Sequence, residues 1–287
     1  MNKLKKLKRV AAIHDISGFG KCSLTVALPI ISAAGIECSV LPTAVLSTHT
    51  GGFTGFTYRD LTEDIQPIAE HWKSLDIKFD AIYTGFLGSF EQLDLVGKFF
   101  DTFRTGDNLI LVDPVMADNG ELYKIFSPEF AVGMRRLCSK ADIIIPNLTE
   151  AALLLGEPYK PGPYEKIYIE DILKRLSAIG PQKIVLTGVF FDDEQLGAAT
   201  YDAATGEIAY AFAPRVPGYY HGTGDVFGSA LLSAILNGFT LGEAAAVAVR
   251  FTVSAIGKTA DAGTDIRFGV NFERTIPELL ADLKQGE

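Results

Sequence analysis

Short apolar runs recur along this chain, and each is followed by a polar or glycine-containing turn. The runs cover residues 10–13, 37–41, 81–85, 109–113, 142–146 and 183–187. Continuous apolar runs are typical of strands covered on both faces, and their alternation with helical patterns predicts right-handed crossovers. We therefore predict an α/β fold with an open, mostly parallel sheet and helices on both faces.

The remaining pattern completes this architecture. Helices are predicted near residues 23–34, 91–103, 128–138, 226–236, 241–256 and 276–284. Residues 196–201 and 208–212 alternate around a turn at 203–206, which predicts an antiparallel hairpin at a sheet edge. Because no linker or repeat divides the 287 residues, we expect a single domain covering 1–287.

Charge and cysteine usage exclude several classes of protein. The net charge of −9 argues against a nucleic-acid-binding face. No apolar stretch is long enough to span a bilayer, and the basic segment 3–9 is interpreted as a solvated arm. Three widely spaced cysteines form neither a zinc pattern nor a disulfide framework, so a cytoplasmic location is expected.

Polar signals follow the apolar runs at 84–85, 113–114, 146–147 and 187–188. In open α/β sheets, ligands bind in the crevice at the carboxyl ends of the strands. The sequence therefore predicts a ligand crevice at this edge of the sheet.

The segment Gly222-Thr223-Gly224-Asp225 lies directly before an apolar helix. Free backbone N–H groups and the helix dipole favour an anion there. Asp225 would repel a phosphate, but it could take a proton from a hydroxyl that attacks phosphorus. The segment indicates a small-molecule kinase, with an ordinary helix cap as the alternative.

Carboxylates follow two of the predicted strands. Asp113 and Asp118 come after one of them and could support Mg²⁺, while a turn aspartate and a cap are the alternative. Glu150 follows the next strand and would face the same crevice. The alternative for residues 147–150 is a capping box, with Thr149 as a possible cap.

A glycine-rich loop at 47–52 is followed by aromatic residues, and it could close over a flat ring. We place a substrate-covering loop within about 43–58. His49 is a substrate-binding candidate, with a hydrogen-bonded structural role as its alternative. The glycine loop at 17–20 matches neither a P-loop nor a dinucleotide fingerprint.

These motifs together resemble those of the pyridoxal kinases, within the ribokinase-like superfamily. The resemblance rests on A-V-L-S-T-H-T at 44–50, T-G-F-L-G-S at 84–89, D-P-V-M-A-D at 113–118, P-N-L-T-E at 146–150 and G-T-G-D at 222–225. It runs from about residue 10 to the helix after Asp225, and the blocks occur in the family's order.

The resemblance implies transfer of the ATP γ-phosphate to the 5′-hydroxymethyl group of pyridoxal, pyridoxine or pyridoxamine. Asp225 would be the base, and the N–H groups of Gly222, Thr223 and Gly224 would hold the transferring phosphoryl oxygens. The residues that would organise Mg²⁺ and the phosphates are Asp113, Asp118, Asn147 and Glu150, with Thr187 near the triphosphate. A monovalent cation (K⁺) and a homodimer are also expected.

The resemblance places Asp15, Thr50 and Phe86 around the ring of the substrate. The sequence differs from the family pattern at Asp15, where serine is common, and at Phe86, where tyrosine is usual. Thr48 replaces asparagine and Ala117 replaces glycine. These departures bear on which vitamer is preferred.

Three other functions remain open. A hydroxymethylpyrimidine kinase of thiamin synthesis would phosphorylate a similar ring substituent with the same aspartate. The aromatic loop argues against a sugar kinase such as ribokinase. A catalytically silent ligand carrier would have no use for a base beside an anion site.

Overall fold

The computed structural model describes residues 6–284, and its central feature is a nine-stranded sheet. A separate two-stranded ribbon lies beside it. The strands are β1 (Arg9–Ser17), β2 (Glu37–Leu46), β3 (Tyr58–Asp60), β4 (Ala81–Thr84), β5 (Leu109–Val112), β6 (Ala117–Asp118), β7 (Glu121–Leu122), β8 (Ile143–Ile144), β9 (Lys183–Val189), β10 (Gln195–Asp202) and β11 (Glu207–Pro214).

The order across the large sheet is β11-β10-β9-β8-β5-β4-β1-β2-β3. The strands from β9 to β2 in that order are parallel neighbours. The pairs β9–β10, β10–β11 and β2–β3 are antiparallel. The predicted parallel sheet and its antiparallel edge hairpin are therefore confirmed.

Helices cover both faces of the sheet and bury a separate apolar core against each. They are α1 (Leu24–Ala33), α2 (Thr62–Ser74), α3 (Phe90–Phe103), α4 (Phe130–Cys138), α5 (Leu148–Leu155), α6 (Lys166–Ser177), α7 (Thr223–Leu236), α8 (Leu241–Asp261) and α9 (Ile276–Lys284). One core contains side chains from α2 to α6, and the other contains side chains from α1, α7, α8 and α9. Within residues 6–284, no helix combines the length and apolarity needed to cross a membrane.

The structure also contains elements that the sequence analysis did not predict, namely α2, α6, β3 and the β6–β7 ribbon. Helix α2 has only one buried residue, Ile65, and an internal proline, so its apolar pattern is weak. The ribbon turns at Asn119-Gly120, where both residues have positive φ. That dipeptide is the signal of a two-residue hairpin and could have been used.

Part of the basic segment 3–9 belongs to the sheet. Residues 3–5 lie outside the described residues. Arg9 begins β1, and its Nε donates to Glu37 Oε1 on β2 at 2.7 Å. The interpretation as a solvated arm is wrong for this residue, because the strand extends to it.

A capping box begins α8 and gives a test of the fold. Thr240 Oγ1 accepts from the Glu243 backbone N–H, and the Glu243 carboxylate accepts from the Thr240 backbone N–H at 2.9 Å. We expect Thr240→Ala to lower the free energy of unfolding by about 1 kcal/mol, because one orphan donor of the helix loses its partner. Urea denaturation measures the change.

Thr54→Ala is the matched control, because Thr54 is exposed and its hydroxyl makes no hydrogen bond within residues 6–284. It should change stability by less than about 0.5 kcal/mol. Equal effects of the two substitutions would contradict the capping argument.

Candidate active site

The N-terminus of α7 packs closely against the segment between β1 and α1. Gly222 caps the helix with φ of 76°, and a Cβ at this position would lie 2.2 Å from the carbonyl oxygen of Lys21. Only glycine fits this backbone conformation and this approach. The backbone N–H groups of Gly222, Thr223 and Gly224 have no hydrogen-bond acceptor within the described part of the chain. They therefore form a group of free donors at the positive end of a helix dipole.

Asp225 lies in the first turn of α7, because the helix begins at Thr223 rather than at the predicted Val226. Its Oδ2 accepts from the Ser23 backbone N–H at 2.9 Å, and its side chain is 14% exposed. Burial raises the pKa of Asp225 to about 7, and the charge of Asp15 adds to this shift. A carboxyl group with this pKa can accept a proton near neutral pH.

Ser23 joins two acidic side chains. Its N–H donates to Asp225, and its hydroxyl donates to Asp15 Oδ1 at 2.6 Å. Its φ of 57° and ψ of −129° are strained for a residue other than glycine, as is often found at functional sites. The sequence analysis placed Ser23 only at a helix start. Its hydroxyl makes no capping bond to α1, so no sequence signal would have separated it from an ordinary cap.

Asp15 lies within β1, at a bulge where the register with β2 shifts. The apolar run at 10–13 therefore underestimates the first strand, because β1 continues to Ser17. The carboxylate is 4% exposed and accepts from the hydroxyls of Ser17 and Ser23 at 2.9 and 2.6 Å. Burial raises the pKa of Asp15 despite these bonds. The bulge places the Asp15 carboxyl group beside Ser23, whose backbone N–H bonds to Asp225.

A capping box begins α5. Asn147 Oδ1 accepts from the Glu150 backbone N–H, and Glu150 Oε2 accepts from the Asn147 backbone N–H, both at 2.9 Å. The predicted capping box is present, but its cap is Asn147 and not Thr149. The Thr149 hydroxyl instead accepts from the backbone N–H of Gly120 at 2.9 Å.

The same helix start holds the segment that follows β5. Glu150 Oε1 accepts from the Met116 backbone N–H at 3.1 Å, and Asn147 Nδ2 donates to the Ala117 carbonyl at 2.8 Å. Both carboxylate oxygens of Glu150 thus already bond to backbone N–H groups. In this structure, Asn147 and Glu150 fix the loop that connects Asp113 to Asp118.

The predicted metal carboxylates converge only partly. Asp113 is buried, and its Oδ2 lies 3.8 Å from the position of a Cβ on Gly224. Asp118 accepts from the neighbouring Asn119 backbone N–H at 2.8 Å. Within residues 6–284, no group of three or more acidic, histidine or cysteine side chains has an arrangement that could hold a metal ion. The predicted set of Asp113, Asp118 and Glu150 is therefore not assembled as direct ligands.

Acidic side chains are nevertheless clustered near the α7 N-terminus. Burial raises the pKa of Asp113 well above its usual range, and the charges of Glu150 and Asp225 add to this shift. Burial also raises the pKa of Glu150 to about 8. A divalent cation held by one carboxylate, phosphate oxygens and water fits such a site, because Mg²⁺ usually keeps several non-protein ligands.

Thr187 lies within β9 beside the start of α5, because the strand runs two residues past the predicted range 183–187, to Val189. Its backbone N–H donates to the Pro146 carbonyl at 2.9 Å, and it forms a parallel bridge with Asn147. The structure therefore brings Asn147 and Thr187 together.

The predicted covering segment, 43–58, includes the end of β2 and the first residue of β3, so the loop itself is 47–57. His49 Nε2 lies 2.6 Å from the Arg267 carbonyl oxygen, and its Nδ1 accepts from the Gly51 backbone N–H at 3.0 Å. Because both ring nitrogens have backbone partners, the geometry favours the structural alternative for His49. Thr50 is exposed in the same loop.

This loop lies next to the segment that leads into α7. A Cβ on Gly51 would lie 2.5 Å from the His221 ring, so the loop and residue 221 are in direct contact. Phe86 is half-buried, and its ring centroid lies 5.8 Å from that of Phe126.

Tyr58 is a further residue at the crevice that the sequence analysis did not propose. Its hydroxyl lies 3.3 Å from the position of a Cβ on Gly88, and the Phe86 ring lies 3.8 Å from the same point. Burial raises the pKa of Tyr58, with added contributions from the charges of Asp60 and Asp15. In the sequence, Tyr58 stands out only as one of the aromatic residues that follow the glycine-rich loop.

Comparison with known proteins identifies similar sequences over most of the chain. A family profile described as phosphomethylpyrimidine kinase matches residues 28–269. The Arabidopsis thaliana thiamine biosynthetic bifunctional enzyme TH1, chloroplastic, is 25% identical over 261 residues. That alignment covers 90% of this chain and 48% of the relative, so the chain spans about half the length of that enzyme.

Two solved structures are similar to the chain along nearly its whole length. A Bacteroides thetaiotaomicron protein, provisionally described as a phosphomethylpyrimidine kinase and crystallised with pyridoxal, is 40% identical with a TM-score of 0.91. The match covers 96% of each chain. Pyridoxal kinase from Lactobacillus plantarum is 34% identical with a TM-score of 0.88, covering 96% of this chain and 98% of that one. The resemblance and the fold class inferred from the sequence are confirmed.

Gly222 provides a test of the α7 N-terminus. We expect Gly222→Ala to lower the free energy of unfolding by more than about 2 kcal/mol, because the αL conformation and the contact with Lys21 both oppose a Cβ. Gly206→Ala is the matched control, since Gly206 has φ of 74° and no atom within 4 Å of an added Cβ. It should cost only about 1–2 kcal/mol. Equal losses in urea denaturation would mean that the contact with Lys21 adds nothing.

Proposed function

The chain belongs to the phosphomethylpyrimidine kinase family, and on that premise we propose that it transfers the γ-phosphate of ATP to the 5′-hydroxymethyl group of a B6 vitamer. The vitamer would be pyridoxal, pyridoxine or pyridoxamine. The observation that carries the proposal is Asp225, whose side chain is only 14% exposed and lies beside the free N–H groups of the α7 N-terminus. The 40% identical protein that was crystallised with pyridoxal supports the substrate class.

Asp225 acts as the general base in this proposal. It takes the proton of the hydroxymethyl group as the oxygen forms its bond to the γ-phosphorus, and the bond from that phosphorus to the β-bridging oxygen breaks. Ser23 holds Oδ2 through its backbone N–H at 2.9 Å, which leaves Oδ1 to accept the proton. Burial in place of solvation supplies the basicity, because it raises the pKa of Asp225 to about 7.

The N–H groups of Gly222, Thr223 and Gly224 bind the oxygens of the transferring phosphoryl group. They are fixed by the helix and need no reorganisation as charge develops, so their electrostatic effect is available in the transition state. An aspartate alone would repel these oxygens, and the helix N-terminus offsets that repulsion.

Mg²⁺ and the nucleotide belong to the same proposal. Asp113 would hold Mg²⁺, with Asp118 and Glu150 acting through water or through the loop that Glu150 fixes. The ion would neutralise charge on the phosphates. Asn147 and Thr187 would lie beside the triphosphate, and a K⁺ ion would bind near the anion site.

The ring of the vitamer would lie between Asp15, Phe86 and the loop 47–57. Phe86 supplies an apolar wall, and Thr50 is exposed on the loop that would cover the ring. The buried Asp15 carboxylate would pair with a protonated ring nitrogen or an amine. His49 would hold the loop in place through its two backbone contacts.

A hydroxymethylpyrimidine kinase is the second candidate. The family description and the thiamine biosynthetic relative favour it, and it would use the same base and anion site. An ADP-release assay across pyridoxal, pyridoxine, pyridoxamine, hydroxymethylpyrimidine and ribose separates the candidates. Turnover that is highest with hydroxymethylpyrimidine would replace the B6 proposal, and an absence of turnover with every acceptor would support the silent carrier.

A cytoplasmic homodimer completes the proposal, on the strength of the family resemblance. Light scattering on the purified full chain measures the oligomeric state, and a monomer at assay concentration would contradict the homodimer.

Asp225→Asn tests the base. The amide keeps the shape but cannot accept the proton, so we expect turnover to fall by roughly two to four orders of magnitude with ATP affinity retained. For the unaltered protein, kcat should rise as pH increases through about 7, because only the ionised carboxylate is a base. Near-normal turnover in a folded Asp225→Asn protein would remove Asp225 from this role.

Asp15→Ser and Asp15→Asn test the ring pocket. A charged hydrogen bond contributes about 1.5–3 kcal/mol, so either substitution should weaken binding of the preferred vitamer about tenfold or more. Asp15→Asn keeps the size of the side chain and removes its charge, although its NH2 group can only donate to the serine hydroxyl that it faces. Calorimetry should show unchanged ATP affinity. A loss of ATP affinity with vitamer affinity intact would place Asp15 on the phosphate side.

A further inference from the structure

His14 is a fully buried histidine whose ring the proposed mechanism does not use. It lies on β1 immediately before the bulge at Asp15 and is 0% exposed. Neither ring nitrogen has a hydrogen-bond partner within residues 6–284. Buried polar atoms without partners are rare in folded proteins, so each one calls for a physical explanation.

The surrounding chain fixes the ring of His14 in one orientation. Its edge packs against the Tyr83 ring, with a centroid distance of 4.4 Å and an interplanar angle of 78°. A Cβ on Gly85 would lie 2.2 Å from Nδ1, so only glycine at position 85 leaves room for the ring. The imidazole therefore cannot turn away from its neighbours without moving β4.

One nitrogen of this ring lies near the proposed base. Nδ1 lies 3.8 Å from Asp225 Oδ1, which is the oxygen that Ser23 does not hold. This distance exceeds that of a hydrogen bond. Catalytic hydrogen bonds are often long without substrate and shorten in the reacting complex.

We propose that His14 is a positioning residue for Asp225, donating its Nδ1–H to Oδ1 when the substrates are bound. The inference rests on the proposed function, since it assigns a partner to the base of that reaction. With Ser23 on one oxygen and His14 on the other, the carboxylate would be held from both sides and directed at the substrate hydroxyl. Oδ1 keeps a second lone pair for the proton that it accepts.

The electrostatics of the pocket agree with this role. Burial lowers the pKa of His14 to about 3, so the ring is neutral at pH 7 and carries one N–H. The titratable groups around it are Asp225 from α7, Tyr83 from β4, Asp15 from its own strand, and Asp113 and Cys38 farther along the same pocket. Donation from the neutral ring would favour the ionised form of Asp225 and lower its pKa.

The test compares His14→Phe with His14→Asn in the full-length protein, using the acceptor with the highest turnover in the ADP-release assay. Phenylalanine preserves the ring without its nitrogens, whereas asparagine places an amide donor near the position of Nδ1. We expect His14→Phe to lower kcat roughly tenfold to a hundredfold, because the base loses its alignment. The midpoint of the kcat–pH profile should also shift to higher pH. The His14→Asn protein should retain most of the kcat of the unaltered protein and the same pH midpoint.

Thr252→Val is the matched control. The Thr252 hydroxyl is also a buried polar group without a hydrogen-bond partner within residues 6–284, but it lies on α8. This substitution should leave kcat and the pH profile unchanged. An unchanged pH midpoint in a folded His14→Phe protein would overturn the proposal. An equal fall in kcat in His14→Phe and His14→Asn would also overturn the proposal. Either result would mean that the His14 ring only fills space.

Asp225→Asn, measured in parallel, separates this inference from the proposed function. If Asp225→Asn abolishes turnover while His14→Phe keeps the unaltered rate and profile, the base assignment stands and the positioning role fails. If Asp225→Asn retains turnover, the proposed function fails and the role of His14 fails with it.

Discussion

The hydrogen bond from the Ser23 backbone to Asp225 joins the two helix starts that form the crevice. It connects the beginning of α1 with the first turn of α7, and both helices pack on the same face of the sheet. The close approach of Gly222 to Lys21 stabilises the same junction. The position of Asp225 and the direction of the free N–H groups therefore depend on one another, because neither helix start can shift without breaking the contact.

Crowded negative charge is the second constraint on the site. Asp15, Asp113, Glu150 and Asp225 are all acidic and have raised pKa values, and the whole chain carries a net charge of −9. Carboxyl groups so placed favour protons or cations, since burial and mutual repulsion both penalise the ionised forms. The helix N-terminus of α7 provides fixed positive potential among these acidic groups, and this potential would favour a phosphate in the proposed reaction.

Several polar side chains near the crevice also stabilise the positions of its loops. Asn147 and Glu150 use their side-chain atoms to cap α5 and to hold the segment 116–117. Both ring nitrogens of His49 similarly have backbone hydrogen-bond partners.

The sequence by itself determined the α/β architecture, the edge hairpin and the position of Asp225 at a helix start. These follow from local patterns: apolar runs, alternation around a turn, and glycines before an apolar helix. It also placed Asp113, Asn147 and Thr187 correctly at the same edge of the sheet, since the carboxyl ends of parallel strands meet there.

Only the tertiary structure decided which side chains have partners. The bulge at Asp15, the strained backbone of Ser23 and the buried ring of His14 beside Asp225 depend on contacts between residues far apart in the chain. The sequence also could not tell that both carboxylate oxygens of Glu150 accept from backbone N–H groups while Asp113 lies next to α7. Local patterns specify which elements form, but hydrogen-bond partners and pKa values arise from packing those elements together.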